Sequence, residues 1–246
     1  LQPLLDRLRD LRRGTGPPPE PHNHTRINNM TRSLGFWNFM APRYARQTVS
    51  DQPSYAYKLA QTQALMHRDM NVLEFGCGTG STALTHAPHV GQITGIDYSP
   101  KMIDIARSKL GDSTNVHFET ATLDGWTAPD ASYDMIMGMN ILHLLTDHKA
   151  ALKRAYTLLK PNGYLVTSTA CLGDMGGIVK HLLPIGSTLR LLPYVAQFTC
   201  DALEADFASA GFEVRQSWRP GEGRATFHIC QKPSEASFVP RGPDAV

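Results

Sequence analysis

A run of apolar residues ending in three closely spaced glycines constrains this chain more than any other feature. In "NVLEFGCGTGSTAL", Asn71 to Leu84, Val72–Phe75 read as a buried strand, and Gly76, Gly78 and Gly80 follow as G-x-G-x-G. A strand that passes through a tight glycine turn into a helix is the place where open α/β sheets bind ligands. Glycine is needed there because it accepts positive φ and lets the backbone approach a ligand closely.

The rest of the chain repeats the strand–helix theme from Phe36 onward, which predicts a mostly parallel sheet covered by helices on both faces. Strands are expected at Val72–Phe75, Gln92–Asp97, Val116–Ala121, Tyr133–Gly138, Gly163–Thr169, Phe212–Trp218 and Ala225–Cys230. Only "RPGEGR" separates the last two, too short for a crossover, so they should run antiparallel. Ser99-Pro100 starts a helix that Gly111 stops, "DHKAALKRAYTLLK" is helical up to Pro161, and Thr199 caps a helix ending at Gly211. Two stretches do not fit this alternation. Gly173–Phe198, rich in Gly, Leu and Pro, reads as an insertion that covers something, and the aromatic segment Phe36–Tyr57 reads as a second cover.

These elements suit one domain at 36–232, preceded by an extension and linker at 1–35 and followed by a tail at 233–246. Leucines at 1, 4, 5, 8 and 11 form a helical stripe, and "GTGPPPEPHNH" reads as an extended linker. No apolar run is long enough to span a bilayer. A formal charge of +2 makes no case for nucleic acid as a partner. Cys77, Cys171, Cys200 and Cys230 are scattered without a C-x-x-C pair, which predicts free thiols in a reducing, cytoplasmic setting and no metal site. A processed, organelle-directed N-terminus is the other reading, opposed by Asp6 and Asp10.

The ligand can be narrowed from the loop itself. A dinucleotide fingerprint, G-x-G-x-x-G, would need glycine where Ser81 stands. Glu74, two residues before the first glycine, suits a positively charged ligand end better than a pyrophosphate. Asp97 ends the second strand where a carboxylate accepts hydrogen bonds from a ribose diol. Glycines, a ribose acid and an acid near an ammonium together describe S-adenosylmethionine, which has a ribose and an amino-acid end but no phosphate.

In these residues the chain resembles the class I S-adenosylmethionine-dependent methyltransferases. "LEFGCGTG" is similar to their first motif, "GIDYSPKMIDIAR" to the ribose-acid motif, "YDMIMGMNILHLL" to the fourth-strand motif and "LLKPNGYLV" to the turn into the fifth strand. The resemblance implies a Rossmann-like seven-stranded sheet, doubly wound, with an antiparallel last strand and the cofactor lying over the strand ends. It implies that Glu74 and the backbone of Gly76, Cys77, Gly78 and Gly80 hold the amino-acid end. It puts Asp97 on the ribose, Tyr98 and Met102 beside the adenine, and Asn140 against the methionine portion through its backbone. The family often has Ala-Asp after the third strand. Here "ETATLDG" places Thr122 in that slot, so a Thr122 hydroxyl and a Leu123 backbone group are expected to bind the adenine.

Methyl transfer from a sulfonium mainly requires alignment and exclusion of water, with a base only where the acceptor must lose a proton. His143, three residues past Asn140, is the candidate base, although it reads equally as a residue packing the next helix. Tyr44 in the aromatic segment is the candidate to close over the methyl group, and Cys171 and Met175 are candidates to line an acceptor pocket. No N-P-P-Y or D-P-P-Y stretch and no basic-aromatic RNA-binding run is present. The apolar insertion therefore points to a small, partly apolar acceptor, with the oxygen, sulfur, nitrogen or carbon atom left open. A macromolecular acceptor and a non-catalytic regulator on the same fold are the alternatives.

Overall fold

A computed structural model describes residues 22–174, 194–221 and 224–234. The leucine stripe of 1–13, most of the expected linker, Met175 with most of the insertion, and nearly all of the tail lie outside the described residues. Among the described residues no helix is long and apolar enough to cross a membrane.

Seven strands form one sheet. They are β1 (Asn71–Phe75), β2 (Gln92–Asp97), β3 (Val116–Thr120), β4 (Tyr133–Met139), β5 (Leu159–Thr169), β6 (Glu213–Trp218) and β7 (Thr226–Gln231). Their order is β3-β2-β1-β4-β5-β7-β6. The first five run parallel to one another, in register from Leu73 opposite Thr94 on one side to Leu73 opposite Ile136 on the other. The last in sequence, β7, runs antiparallel to both β5 and β6, as the short connection required. Around the sheet lie α1 (His22–Ala45), α2 (Gln52–Gln63), α3 (Ser81–His86), α4 (Pro100–Ser108), α5 (His148–Leu158) and α6 (Cys200–Ser209).

Strand residues alternate between two cores, since successive side chains of a strand point to opposite faces. Leu73, Phe75, Ile136 and Leu165 pack with Leu152 and Leu158 of α5 and Leu203 and Phe207 of α6. Val72, Ile93, Met135 and Val166 pack on the other face with Ala83 of α3 and Ile103 and Ala106 of α4. This decides where a ligand can go. The connection leaving β1 turns toward the α3–α4 face, and the one leaving β4 turns toward the α5–α6 face. Since β1 and β4 are neighbours, a crevice opens above them, the topological switch point of a doubly wound sheet.

Helix ends follow their caps. The Ser99 side chain accepts from the N–H of Met102 at 3.2 Å, Asp147 from Ala150 at 2.9 Å, and Thr199 from Ala202 at 3.1 Å. Losing such a cap costs about 0.5–2 kcal/mol. Thr199→Ala should therefore lower the melting temperature by roughly 1–8 °C, at about 2–4 °C per kcal/mol for a domain of this size, read by thermal unfolding followed by circular dichroism.

Two sequence expectations need correction. β5 begins at Leu159, not at Gly163. The residue before a proline is pushed toward extended backbone, so Lys160 before Pro161 ends the helix early and Leu159 pairs with Tyr133. At the other end, α1 takes in His22–His24 of the expected linker and runs unbroken through the boundary drawn between 35 and 36.

Candidate active site

The loop after β1 is held by its own backbone and by one carboxylate. The N–H of Cys77 donates to Ile96 O and that of Gly80 to Cys77 O, both at 3.0 Å. Gly78 adopts φ +54°, and a side chain placed there would point at the ring of Tyr44, 3.6 Å away. Its N–H donates to Asp97 Oδ2 at 2.9 Å, while Asp97 Oδ1 accepts from the N–H of Ser99 at 2.9 Å. One side chain thus ties the β1 loop to the β2 loop. Each carboxylate oxygen keeps a further lone pair for a ligand hydroxyl. Burial pushes the Asp97 carboxyl upward, and the two N–H groups pull it back.

Helix α1 forms the cover. Asn38 Oδ1 accepts from the Ser99 hydroxyl at 2.7 Å, and Ser33 hydrogen-bonds the hydroxyl of Tyr98. Further along α1, Trp37 and Tyr44 stand edge to face with centroids 6.4 Å apart. Burial, then the charges of Glu74 and Asp97, push the Tyr44 hydroxyl upward, so it stays a proton donor at neutral pH. The aromatic segment does not act as one unit, however. Phe39 is 81% exposed, and Tyr57 packs on Trp218 at 4.2 Å, with its hydroxyl accepting from Gln216.

The resulting pocket holds about 1240 Å³ of space, open solvent at its mouth included. On one side its wall includes Gly76, Gly78, Asp97, Tyr98 and Met102. Thr122, Leu123 and Asn140 complete that side. The Thr122 hydroxyl accepts from the N–H of Gly125 at 3.3 Å, and Asp124 stands beside it in the wall, a residue the sequence reading missed. Asn140 sits at φ +58°, a conformation asparagine tolerates better than most residues. Its N–H donates to Ser168 O at 2.7 Å, and the Ser168 hydroxyl, which accepts from Lys58 Nζ at 2.8 Å, lies 3.4 Å from Asn140 Oδ1. Beyond Asn140 the wall is mostly apolar, with Ile141, Leu144, Leu145 and Tyr194 beside the polar Thr146 and Asp147, and Trp37 and Tyr44 from α1 face it.

The structure does not bring every candidate to this wall. Glu74 lies beneath the loop, 1% exposed, where it accepts from the N–H of Ala83 in the first turn of α3 and leaves Oε2 without a partner. Cys77 points into the core, and a side chain at Gly80 would strike Phe118 at 2.5 Å. Gly80 therefore permits close packing of α3, not ligand approach. His143 is turned away on the short 3₁₀ turn Leu142–Leu144, with Nδ1 buried and unpartnered and its carbonyl accepting from the N–H of Ala196 at 2.7 Å. Burial pushes its imidazole down to about 4, too weak a base for neutral pH. Cys171 is buried under α6 away from the wall.

Comparison with known proteins fits this architecture. Residues 72–163 match the family described as "Methyltransferase domain". Malonyl-[acyl-carrier protein] O-methyltransferase 1 of Ilyobacter polytropus is 32% identical over 105 residues, 42% of this chain and 38% of that protein. O-methyltransferase cnsE of Penicillium expansum is 28% identical over 188 residues, 74% of this chain and 64% of that protein. The chain thus spans less than two thirds of either relative's length. Among solved structures, the [4+2]-cyclase SpnF superposes with a TM-score of 0.63 at 20% identity, covering 77% of this chain and 84% of that one.

Proposed function

We propose that the chain, whose residues 72–163 match a methyltransferase domain, transfers a methyl group from S-adenosylmethionine to a small, partly apolar acceptor. One observation carries the proposal: a single pocket joins the Gly78–Asp97 loop pair to an apolar chamber under Trp37 and Tyr44. Two features of the chain fit the cofactor. The Asp97 oxygens each keep capacity for a ribose hydroxyl, and the orphaned Oε2 of Glu74 supplies negative charge behind the loop where an ammonium would rest.

When bound, S-adenosylmethionine supplies an activated methyl group on a sulfonium. Asp97 then fixes the ribose, Tyr98 and Met102 flank the adenine, and Thr122, Leu123 and Asp124 close its edge. Asn140, held by Ser168, sets the border between cofactor and acceptor. Trp37, Leu144, Leu145 and Tyr194 exclude water and orient the acceptor, an entropic contribution worth up to about 7–11 kcal/mol in well-aligned cases. The Tyr44 hydroxyl is the polar group of α1 that faces the carboxylates, and it orients the acceptor's heteroatom. Oxygen is the acceptor atom we favour, since the names of the malonyl-carrier, cnsE and ubiquinone-biosynthesis relatives all specify O-methylation.

His143 has no part in this reading. His143→Ala should leave turnover far closer to that of the parent than the ~10²–10⁴-fold loss expected for a general base; a loss of that size, with cofactor affinity intact, would restore it to the site. The reading as a whole is tested by calorimetric titration with S-adenosylmethionine and S-adenosylhomocysteine, followed by radiolabelled methyl transfer to a panel of phenols and carboxylic acids. Micromolar cofactor binding with label transferred to one acceptor class supports it. Binding without transfer to any small molecule would favour a macromolecular acceptor or, as the likeness to a cyclase illustrates, another reaction on the same fold.

A further inference from the structure

Cysteine spacing along the chain gives no sign of a metal site, yet the fold brings two of the four cysteines together. Cys171 follows the end of β5, and Cys200 is the first residue of α6. The Thr226 hydroxyl on β7 lies 2.9 Å from Cys200 Sγ and 3.7 Å from Cys171 Sγ. Asp174 joins them, its Oδ2 accepting from the N–H of Cys200 at 2.8 Å. Among the described residues, the two sulfurs and one Asp174 oxygen lie within 4.8 Å of one another.

We propose that Cys171, Cys200 and Asp174 form a binding site for a divalent cation of the zinc class, outside the methyl-transfer pocket. Tetrahedral zinc with sulfur at ~2.3 Å and oxygen at ~2.0–2.2 Å would set its ligands roughly 3.5–3.8 Å apart. The present separations come within a small side-chain adjustment of that. Two thiolates and a carboxylate are the soft-plus-hard donor set that suits zinc and disfavours magnesium or calcium. Three negative donors around a divalent ion leave one net negative charge, which faces the N-terminal end of α6 and lies within reach of the Arg219 guanidinium. The fourth position falls to water or to the Thr226 hydroxyl. Backbone bonds hold the geometry, with the N–H of Gly173 on Phe198 O at 2.9 Å and that of Asp174 on Cys171 O at 3.1 Å. The ion would clamp the end of β5 to the start of α6, at the point where the chain leaves the described residues after Asp174 and rejoins them at Tyr194.

The full chain, fully reduced and stripped by a chelator, is titrated with cobalt(II) and then zinc(II). The expected result is one ion per chain, the absorption of a tetrahedral cobalt–thiolate centre, and its loss when zinc displaces cobalt. Zinc X-ray absorption should then show two sulfur ligands. Asp174→Asn, a change at an exposed residue that leaves the core untouched, should weaken affinity by about tenfold or more, and Cys171→Ser by about a hundredfold or more. Should Cys171→Ser fail to fold, the sulfur count in the parent protein still decides the matter. A sulfur-free shell, or no uptake by the reduced chain, overturns the site. So does affinity unchanged in Asp174→Asn, or binding at full strength in Cys171→Ser.

Discussion

Asp97→Ala should weaken S-adenosylmethionine binding by about 1.5–3 kcal/mol, roughly 10- to 150-fold, the range for a hydrogen bond to a charged acceptor. The carboxylate does more than meet a ribose. It accepts from the N–H groups of Gly78 and Ser99, so its removal leaves both donors without their acceptor and loosens both loops at once. Asparagine should be almost as damaging. One of its two positions would carry NH₂ and face an N–H donor, so one present hydrogen bond becomes a repulsion. Calorimetry on both variants, with circular dichroism to confirm folding, checks this. Parent-like affinity in Asp97→Ala would remove the residue from the ribose site.

The second large effect concerns Glu74 and pH. Burial pushes its carboxyl up to about 8, with the charge of Asp97 adding and the N–H of Ala83 opposing. In the free protein the group is thus mostly protonated at neutral pH. A bound cation above the loop favours the ionised form, so cofactor binding releases a proton. Affinity should rise with pH toward about 8 and level off above it, by at most about tenfold per pH unit. Glu74→Gln should abolish that slope and bind more weakly than the parent at pH 8.

Folding has the opposite dependence. The native carboxyl holds its proton up to about 8, whereas an unfolded glutamate releases it near 4.5. The stability this gives is complete below the unfolded value and is lost as pH rises through the folded one. Glu74→Gln should therefore gain melting temperature relative to the parent as pH goes from 6 to 9. Parallel pH profiles for parent and variant, in both affinity and melting temperature, would show that the carboxyl does not titrate in this range.

Much of the candidate site was legible because its residues act within a few positions of one another. Gly78, Asp97, Ser99 and Asn140 sit at strand ends, where the strand, the turn and the helix cap are all local in sequence, and the pocket includes Gly78, Asp97 and Asn140. Two candidates lie outside the pocket wall because of local geometry of another kind. Strand alternation turns Glu74 toward the same face as Val72, beneath the loop, and the 3₁₀ turn after Ile141 swings His143 out of the wall that Leu144 and Leu145 share. Asp124 was passed over because the loop after β3 places both it and Thr122 in the wall, a matter of loop path that no motif spacing encodes.

Sequence by itself determined the order of the seven strands, the helices that begin at Pro100, His148 and Cys200, the antiparallel last strand, and a glycine loop suited to a cofactor without phosphates. Those follow from periodicity, caps and turn chemistry, which act over a handful of residues. Tertiary structure alone decided that Ser33 and Asn38 latch α1 onto the β2–α4 connection, that Trp37 and Tyr44 face Gly78 and Asp97 across the pocket, and that Cys171 meets Cys200. Each joins side chains from elements far apart in the chain. Their meeting depends on which face each helix buries and on where the sheet reverses its order, and only packing around the completed core fixes both.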